Sequence, residues 1–426
     1  MVYAFFTPDA SRVWTLPLLI PLLALRWTAY HRLVTRTPLD LWLVALLLLG
    51  IVNIYTAPYT RGDVSLTNVL LNRSDLVPWA WVMLGRPVMG IALFFGMVEF
   101  ARLHGIRSIV IASVALGLLL SGTALVSTQW NTKSDPLRPL IDLLPSTRDL
   151  FYAPGGFNAN EIGGALAWLT PLCAGLALAR RSPRWIQAGA VAAFALLLLA
   201  LFLGQSRLAL IGVIFALGVL IFLLIRSARG RAFALVALSV LIVAEVLVAT
   251  HAIAPPTEAE LMEERDEARA SRRFEMWRQA LAILRDHPLT GVGANMFRDG
   301  SVRAVYPVPT YETRVLPHAH NEFLQIAADL GIPGLIVFIG IYASAGWMIW
   351  RCWRAGDGSA RAVAAAAGAG LLAHAVYGMG DAVTLWDRFT FVFWWLLGVA
   401  GAQYVCLHSA KNTPAYPPLP EKVVEK

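Results

Sequence analysis

The chain has 426 residues, 58% of them apolar and only 15% charged, and its mean hydropathy is +0.62. That composition excludes an ordinary soluble globular protein and predicts an all-α polytopic integral membrane protein. A formal charge of +8 would suggest a nucleic-acid partner in a soluble chain; here the arginines crowd the connections between apolar runs, so topology accounts for most of the excess and no nucleic acid is expected.

A hydrocarbon core needs about 20 apolar residues per helix, and about eleven runs qualify: 13–28, 39–57, 77–100, 106–127, 161–180, 185–203, 208–225, 232–252, 332–350, 362–379 and 389–407. The first lies between Arg12 and Arg26 without a small-residue cleavage site and reads as a span, not a signal peptide. Alternate connections carry Arg26, Arg32 and Arg36, then Arg102 and Arg107, then Arg180, Arg181 and Arg184, then Arg226, Arg229 and Arg231, then Arg351, Arg354 and Arg361. These are expected on the cytoplasmic side. The chain then divides into transmembrane helices over 1–252, an external helical segment over 253–331, transmembrane helices over 332–407 and a proline-rich cytoplasmic tail over 408–426. Cys173, Cys352 and Cys406 all fall in spans or near cytoplasmic ends, so no disulfide is expected to hold the external segment.

The polar residues left on the other face come in blocks. Arg86 stands inside a span, where a charge implies a role or a partner. The stretch 128–160 ends in "FNAN", and a tight "GQSR" corner ends at Arg207. "TEAELMEERDEARA" opens on a capping-box pattern, Thr257 to Glu260, and reads as a solvated helix. "RFEMWRQALAILRDHP" places Phe274, Trp277, Leu281 and Leu284 near helical spacing, and "PLTGVG" then breaks the helix at Pro288, Gly291 and Gly293. "HNEFLQIAADLGIPG" predicts a helix of about three turns with His320 in its first turn, an apolar face of Phe323, Ile326, Ala327 and Leu330, a terminator at Gly331 and a new start at Pro333. "GMGDAV" precedes the last span.

A helix N-terminus disfavours a protonated imidazole and favours an anion beside it. His320 is therefore a candidate proton acceptor. Arg207 and Arg273 have the side chain shaped to grip phosphate oxygens, although Arg207 taken by itself reads more readily as a snorkelling anchor of a helix end. There is no zinc-ligand spacing, no phosphate-cradling glycine loop, no nucleophile elbow and no Asp-x-Asp pair. A metal-free, cofactor-free reaction on a pre-activated donor fits best.

These blocks resemble the bacterial O-antigen ligases and their polymerase relatives. His320, Asn321, Gly331 and Gly334 match a His-Asn, nine residues, Gly, two residues, Gly signature; Phe157 and Asn160, Arg207, Arg273 with Trp277, and Asp381 match further blocks in the same order. The resemblance implies a multi-pass protein of the bacterial inner membrane with a metal-independent, inverting glycosyltransferase site facing the periplasm. The implied donor is O-antigen on undecaprenyl diphosphate and the implied acceptor the lipid A-core, beside ordinary membrane lipids. His320 is then the base, Arg207 and Arg273 hold the diphosphate, and Arg86, Asn160, His318, Asn321 and Asp381 bind substrate or shape the site. Such ligases have twelve spans with both termini cytoplasmic, whereas the charge alternation here gives about eleven and an external N-terminus. A polymerase, a protein O-oligosaccharyltransferase and, from another class, a lipid-linked glycan transporter are the rival readings.

Overall fold

The structure is a computed structural model that describes residues 34–61, 77–130, 138–144, 156–179, 182–225, 227–251, 273–308 and 318–409. The expected first span, the acidic helix from Thr257 and the C-terminal tail lie outside the described residues. The long helices are α1 (Asp40–Thr56), α2 (Val77–His104), α3 (Ile106–Ser127), α4 (Ala159–Ala177), α5 (Arg184–Gly204), α6 (Arg207–Leu224), α7 (Ala228–His251), α8 (273–286), α9 (Glu322–Ala355), α10 (Gly358–Gly378) and α11 (Phe391–Ser409). The described strands are two residues long, Thr128–Gln129 paired in parallel with Phe157–Asn158. The protein is an all-α polytopic membrane protein: α2, α3, α5, α6, α9, α10 and α11 with the turn before it are long and apolar enough to cross a bilayer. The expected spans at 39–57, 161–180 and 232–252 are the helices α1, α4 and α7.

α4 is the centre of the bundle. Every residue from Ile162 to Leu176 is buried, as expected of a helix apolar on all sides, and α5, α6 and α10 pack around it. Close approach comes from small side chains, the usual device where lipid removes the hydrophobic drive for helix association. The alanine run of α10 serves this purpose: a Cβ on Gly175 of α4 would stand 2.5 Å from Ala366 Cβ, and one on Gly212 of α6 would stand 2.9 Å from the Ala373 carbonyl. Leu119, Phe215 and Val240 point outward and stay exposed, the surface that a bilayer would cover.

α9 is broken at Gly331, whose φ of 69° and ψ of −171° are not helical. The break frees backbone groups inside a crowded region, where an unpaired one is expensive, and the loop after α8 pairs them. Val292 and Gly293 amides donate to the Ala328 and Asp329 carbonyls at 2.9 and 3.1 Å, and the Ile332 amide donates to the Pro288 carbonyl at 2.8 Å. Glycine is required on both sides of this contact. A Cβ on Gly291 would lie 2.3 Å from the Ala328 oxygen, and one on Gly331 would lie 2.7 Å from the Leu289 carbonyl carbon. The "PLTGVG" and "GIPG" motifs are thus two halves of one joint. Asn53 of α1 locks it, donating to the Thr290 carbonyl at 2.6 Å and accepting from the Ala294 amide at 3.0 Å.

α8 buries Met276, Ala280 and Ile283, while Phe274 and Leu281 are exposed. One expectation needs correction. His320 is not in the first turn of α9. Asn321 is the N-cap, its side chain accepting from the Leu324 amide at 3.0 Å, and Asn is among the strongest capping residues. His320 therefore sits just before the helix.

Candidate active site

The end of the bundle formed by the start of α4, the start of α6, the start of α9 and the 379–390 turn gathers the candidate residues. His320 holds a left-handed φ of 48°, a conformation that costs a non-glycine residue about 1–3 kcal/mol and persists only when its surroundings impose it. The surroundings are visible: the Trp277 indole donates a long 3.4 Å bond to the His320 carbonyl, the His320 amide donates to His318 Nδ1 at 3.1 Å, and Asn321 Nδ2 donates to the Met379 carbonyl at 3.0 Å. Both polar ends of the Asn321 side chain are thereby engaged, one capping α9 and the other tying it to the turn that carries Asp381.

Asp381 is the hub. Its Oδ1 lies 2.9 Å from His320 Nδ1 and 3.5 Å from His318 Nε2, and it accepts from the Ala382 amide at 2.9 Å. Burial alone would raise this carboxyl, but the His320 hydrogen bond and the charges of His318 and His320 outweigh it and hold the group below the usual carboxylate range. An ionised Asp381 can only accept, so His320 carries a proton on Nδ1, and in the neutral ring the lone pair is on Nε2. His318 is fixed likewise: its Nδ1 accepts from a backbone amide, which leaves the proton on Nε2, toward Asp381.

Burial pushes the His318 imidazole down from an ordinary 6.5 to about 4, against the pull of Asp381. Between those values the unfolded chain binds a proton here that the folded chain does not, so stability falls as pH falls through that window. The thermal midpoint of the wild type is expected to decline on acidification from about pH 6.5 to about 4 more steeply than that of His318→Gln. Equal slopes in the two proteins would contradict the assignment.

The arginines come from different elements. Arg207 opens α6 immediately after the left-handed Gln205 corner, and the next residue, Leu208, touches the Asp381 turn so closely that a Cβ on Gly380 would be 2.8 Å from its Cδ1. Arg273 begins α8 one turn before Trp277, and its charge reaches Tyr377. The Tyr377 hydroxyl in turn donates to the Asn160 carbonyl at 3.0 Å, which brings the start of α4 to the same end. Arg86 of α2 acts electrostatically on Asp387.

Sequence reasoning passes over Arg298, Asp387, Asp329 and the Arg388–Glu161 pair. Arg298 donates from Nη1 and Nη2 to Asp387 Oδ1, each at 3.1 Å, and from Nη2 to Thr384 Oγ1 at 3.3 Å. Burial works to raise Asp387, yet Arg298, His318 and Arg86 together keep it low. Arg388 bridges to Glu161 at 3.0 Å and lies over the Phe157 ring. Asp329 is completely buried and accepts from the Phe297 amide, Gln325 and the Trp386 indole. These partners lie from 4 to 227 positions apart; the only signal in the chain is a second acid and two arginines close to the "PLTGVG" and "GMGDAV" blocks.

His318, His320 and Asp381 also bring three potential metal-ligand atoms within 4.8 Å of one another. His320 Nδ1 faces Asp381 at 2.9 Å, so an ion bound between those two atoms would displace the Nδ1 proton. Chemically the arrangement offers a carboxylate-oriented imidazole with a free Nε2 and arginines on adjoining elements, which suits removing a proton from a hydroxyl beside an anionic group.

Residues 192–339 match the family model described as O-Antigen ligase. The matched stretch includes Arg207, Arg273, Arg298, His318 and His320, whereas Arg86, Asn160 and Asp381 lie outside it. A search of curated proteins finds no match.

Proposed function

We propose that this chain, whose residues 192–339 match the O-Antigen ligase family model, moves O-antigen polysaccharide from undecaprenyl diphosphate to a sugar hydroxyl of the lipid A-core. The site would face the periplasm across the bacterial inner membrane. The observation that carries the reading is the 2.9 Å contact between His320 Nδ1 and Asp381, which leaves Nε2 as the base.

In this reading the acceptor hydroxyl gives its proton to His320 Nε2 while its oxygen bonds to the anomeric carbon from the face opposite the diphosphate. The bond from that carbon to the phosphate oxygen breaks with its electron pair on oxygen, giving inversion and free undecaprenyl diphosphate. Asp381 stabilises the imidazolium, and the proton passes to water when the product leaves. Arg207 and Arg273, aided by Arg86, meet the charge growing on the diphosphate. His318 and Asn321 hold the base in place, and Asn160 lines the start of α4 where a sugar can reach it. No protein-bound metal enters this scheme.

Arg207→Ala and Arg273→Ala are each expected to weaken binding of the diphosphate lipid by about tenfold or more, as loss of a charge-assisted contact does; unchanged affinity would make them helix-end anchors. The acceptor is tested by supplying lipid-linked O-antigen with and without lipid A-core. Product only with the core supports the ligase; lengthened lipid-linked glycan without it means a polymerase.

A further inference from the structure

The joint between the "PLTGVG" loop and the break in α9 is more heavily built than a connection needs. Over residues 292–297 it is pinned to Ala328 and Asp329 backbone, to the Asn53 side chain and to the Asp329 carboxyl, with Met296 and Phe297 fully buried. Arg298 is the next residue and ends a short 3-10 turn. Its guanidinium is held on one edge by Asp387 and Thr384, while the Nε–H on the other edge is buried and meets no acceptor among the described residues.

A guanidinium kept only to fasten two loops would turn every buried N–H to an acceptor. Here one is withheld, in a group whose position is fixed by a rigid loop. Arg86 and Arg298 both act on the carboxylate of Asp387, and the field of Arg298 also reaches His318, Glu161, Glu322 and Asp329. Asp387 thus both neutralises part of that charge and aims the arginine.

We propose that Arg298, positioned by Asp387, is a further substrate-binding residue that contacts an anionic oxygen at the His318 end of the site. This rests on the transfer reaction proposed above. The ligand chemistry is a phosphate or carboxylate oxygen, from either the donor diphosphate or an acidic group on the acceptor glycan.

The test uses the full-length protein and two variants, Arg298→Gln and Arg298→Lys, the latter keeping the charge but losing the planar fork. Calorimetric titration with inorganic pyrophosphate is expected to show binding to the wild type and about tenfold weaker binding to Arg298→Gln, with Arg298→Lys between them. In steady-state transfer, Arg298→Gln should raise one KM by about tenfold with kcat within a few-fold. A rise in donor KM identifies the diphosphate, and a rise in acceptor KM identifies an acidic group on the acceptor. Wild-type pyrophosphate affinity and both KM values unchanged in Arg298→Gln would overturn the proposal, as would a fall only in kcat and thermal midpoint, the mark of a purely structural ion pair. A wild type that binds pyrophosphate through Arg298 yet transfers no glycan would leave the anion contact standing and remove the reaction.

Discussion

His320→Ala should lower glycan transfer by about 10²–10⁴-fold, the range that a positioned general base contributes, while affinity for the diphosphate-linked donor stays close to that of the wild type. The separation has a geometric origin. The imidazole accepts a proton through Nε2, whereas the groups assigned to the diphosphate come from α6 and α8. His320 also holds a left-handed backbone through contacts of its amide and carbonyl, His318 Nδ1 and Trp277, which do not involve its own side chain, so the alanine variant keeps the local fold. Single-turnover transfer and donor binding, measured on the same preparation, check this. Wild-type transfer by the variant would remove His320 as the base, and loss of donor binding in parallel would make it a substrate-positioning group.

The second large effect belongs to Asp381. Asp381→Asn keeps the size of the side chain but removes the charge that opposes His320 Nδ1 and His318. The amide can present its NH₂ to Nδ1 and so shift the imidazole proton to Nε2, leaving no lone pair there; even with the oxygen presented, the imidazolium loses its counter-ion. Transfer should fall by about 10²–10⁴-fold, as for other bases deprived of an orienting carboxylate, with the loss in kcat and little change in donor KM. A purely structural aspartate would lower yield and thermal stability together with activity, and an asparagine variant with normal kcat would show that Asp381 does not act through the histidine.

Much of the architecture is legible in the chain because lipid imposes a strict rule: long apolar runs become helices. The class and most helix positions come from that alone, and the break at Gly331 comes from the glycine itself and Pro333 two residues on. The reason for the break is not legible, because it resides in a loop about forty residues earlier whose glycines let backbone press on backbone. The three-turn helix read from the chain places His320 in its first turn, whereas Asn321 caps the helix and leaves His320 just before it.

The residues with the plainest chemical types, His320, Arg207, Arg273 and Asp381, stand out in the sequence, and the structure brings the segments bearing them to one end of the bundle. Arg298 and Asp387 do not stand out, because their meaning is a contact across 89 positions. No periodicity connects them. Asp329 reads as one acid on an amphipathic helix, yet its carboxyl gathers three donors from three segments and sets the loop that presents Arg298.

The most direct measurement tracks both products at once: the purified wild type in proteoliposomes with undecaprenyl-diphosphate-linked O-antigen and lipid A-core, in the presence of chelator, with His320→Ala beside it. Free undecaprenyl diphosphate appearing in step with glycosylated core, and neither forming in the variant, is the expected result. Glycan crossing the bilayer still attached to its lipid, with no undecaprenyl diphosphate released, would contradict it and make the protein a transporter.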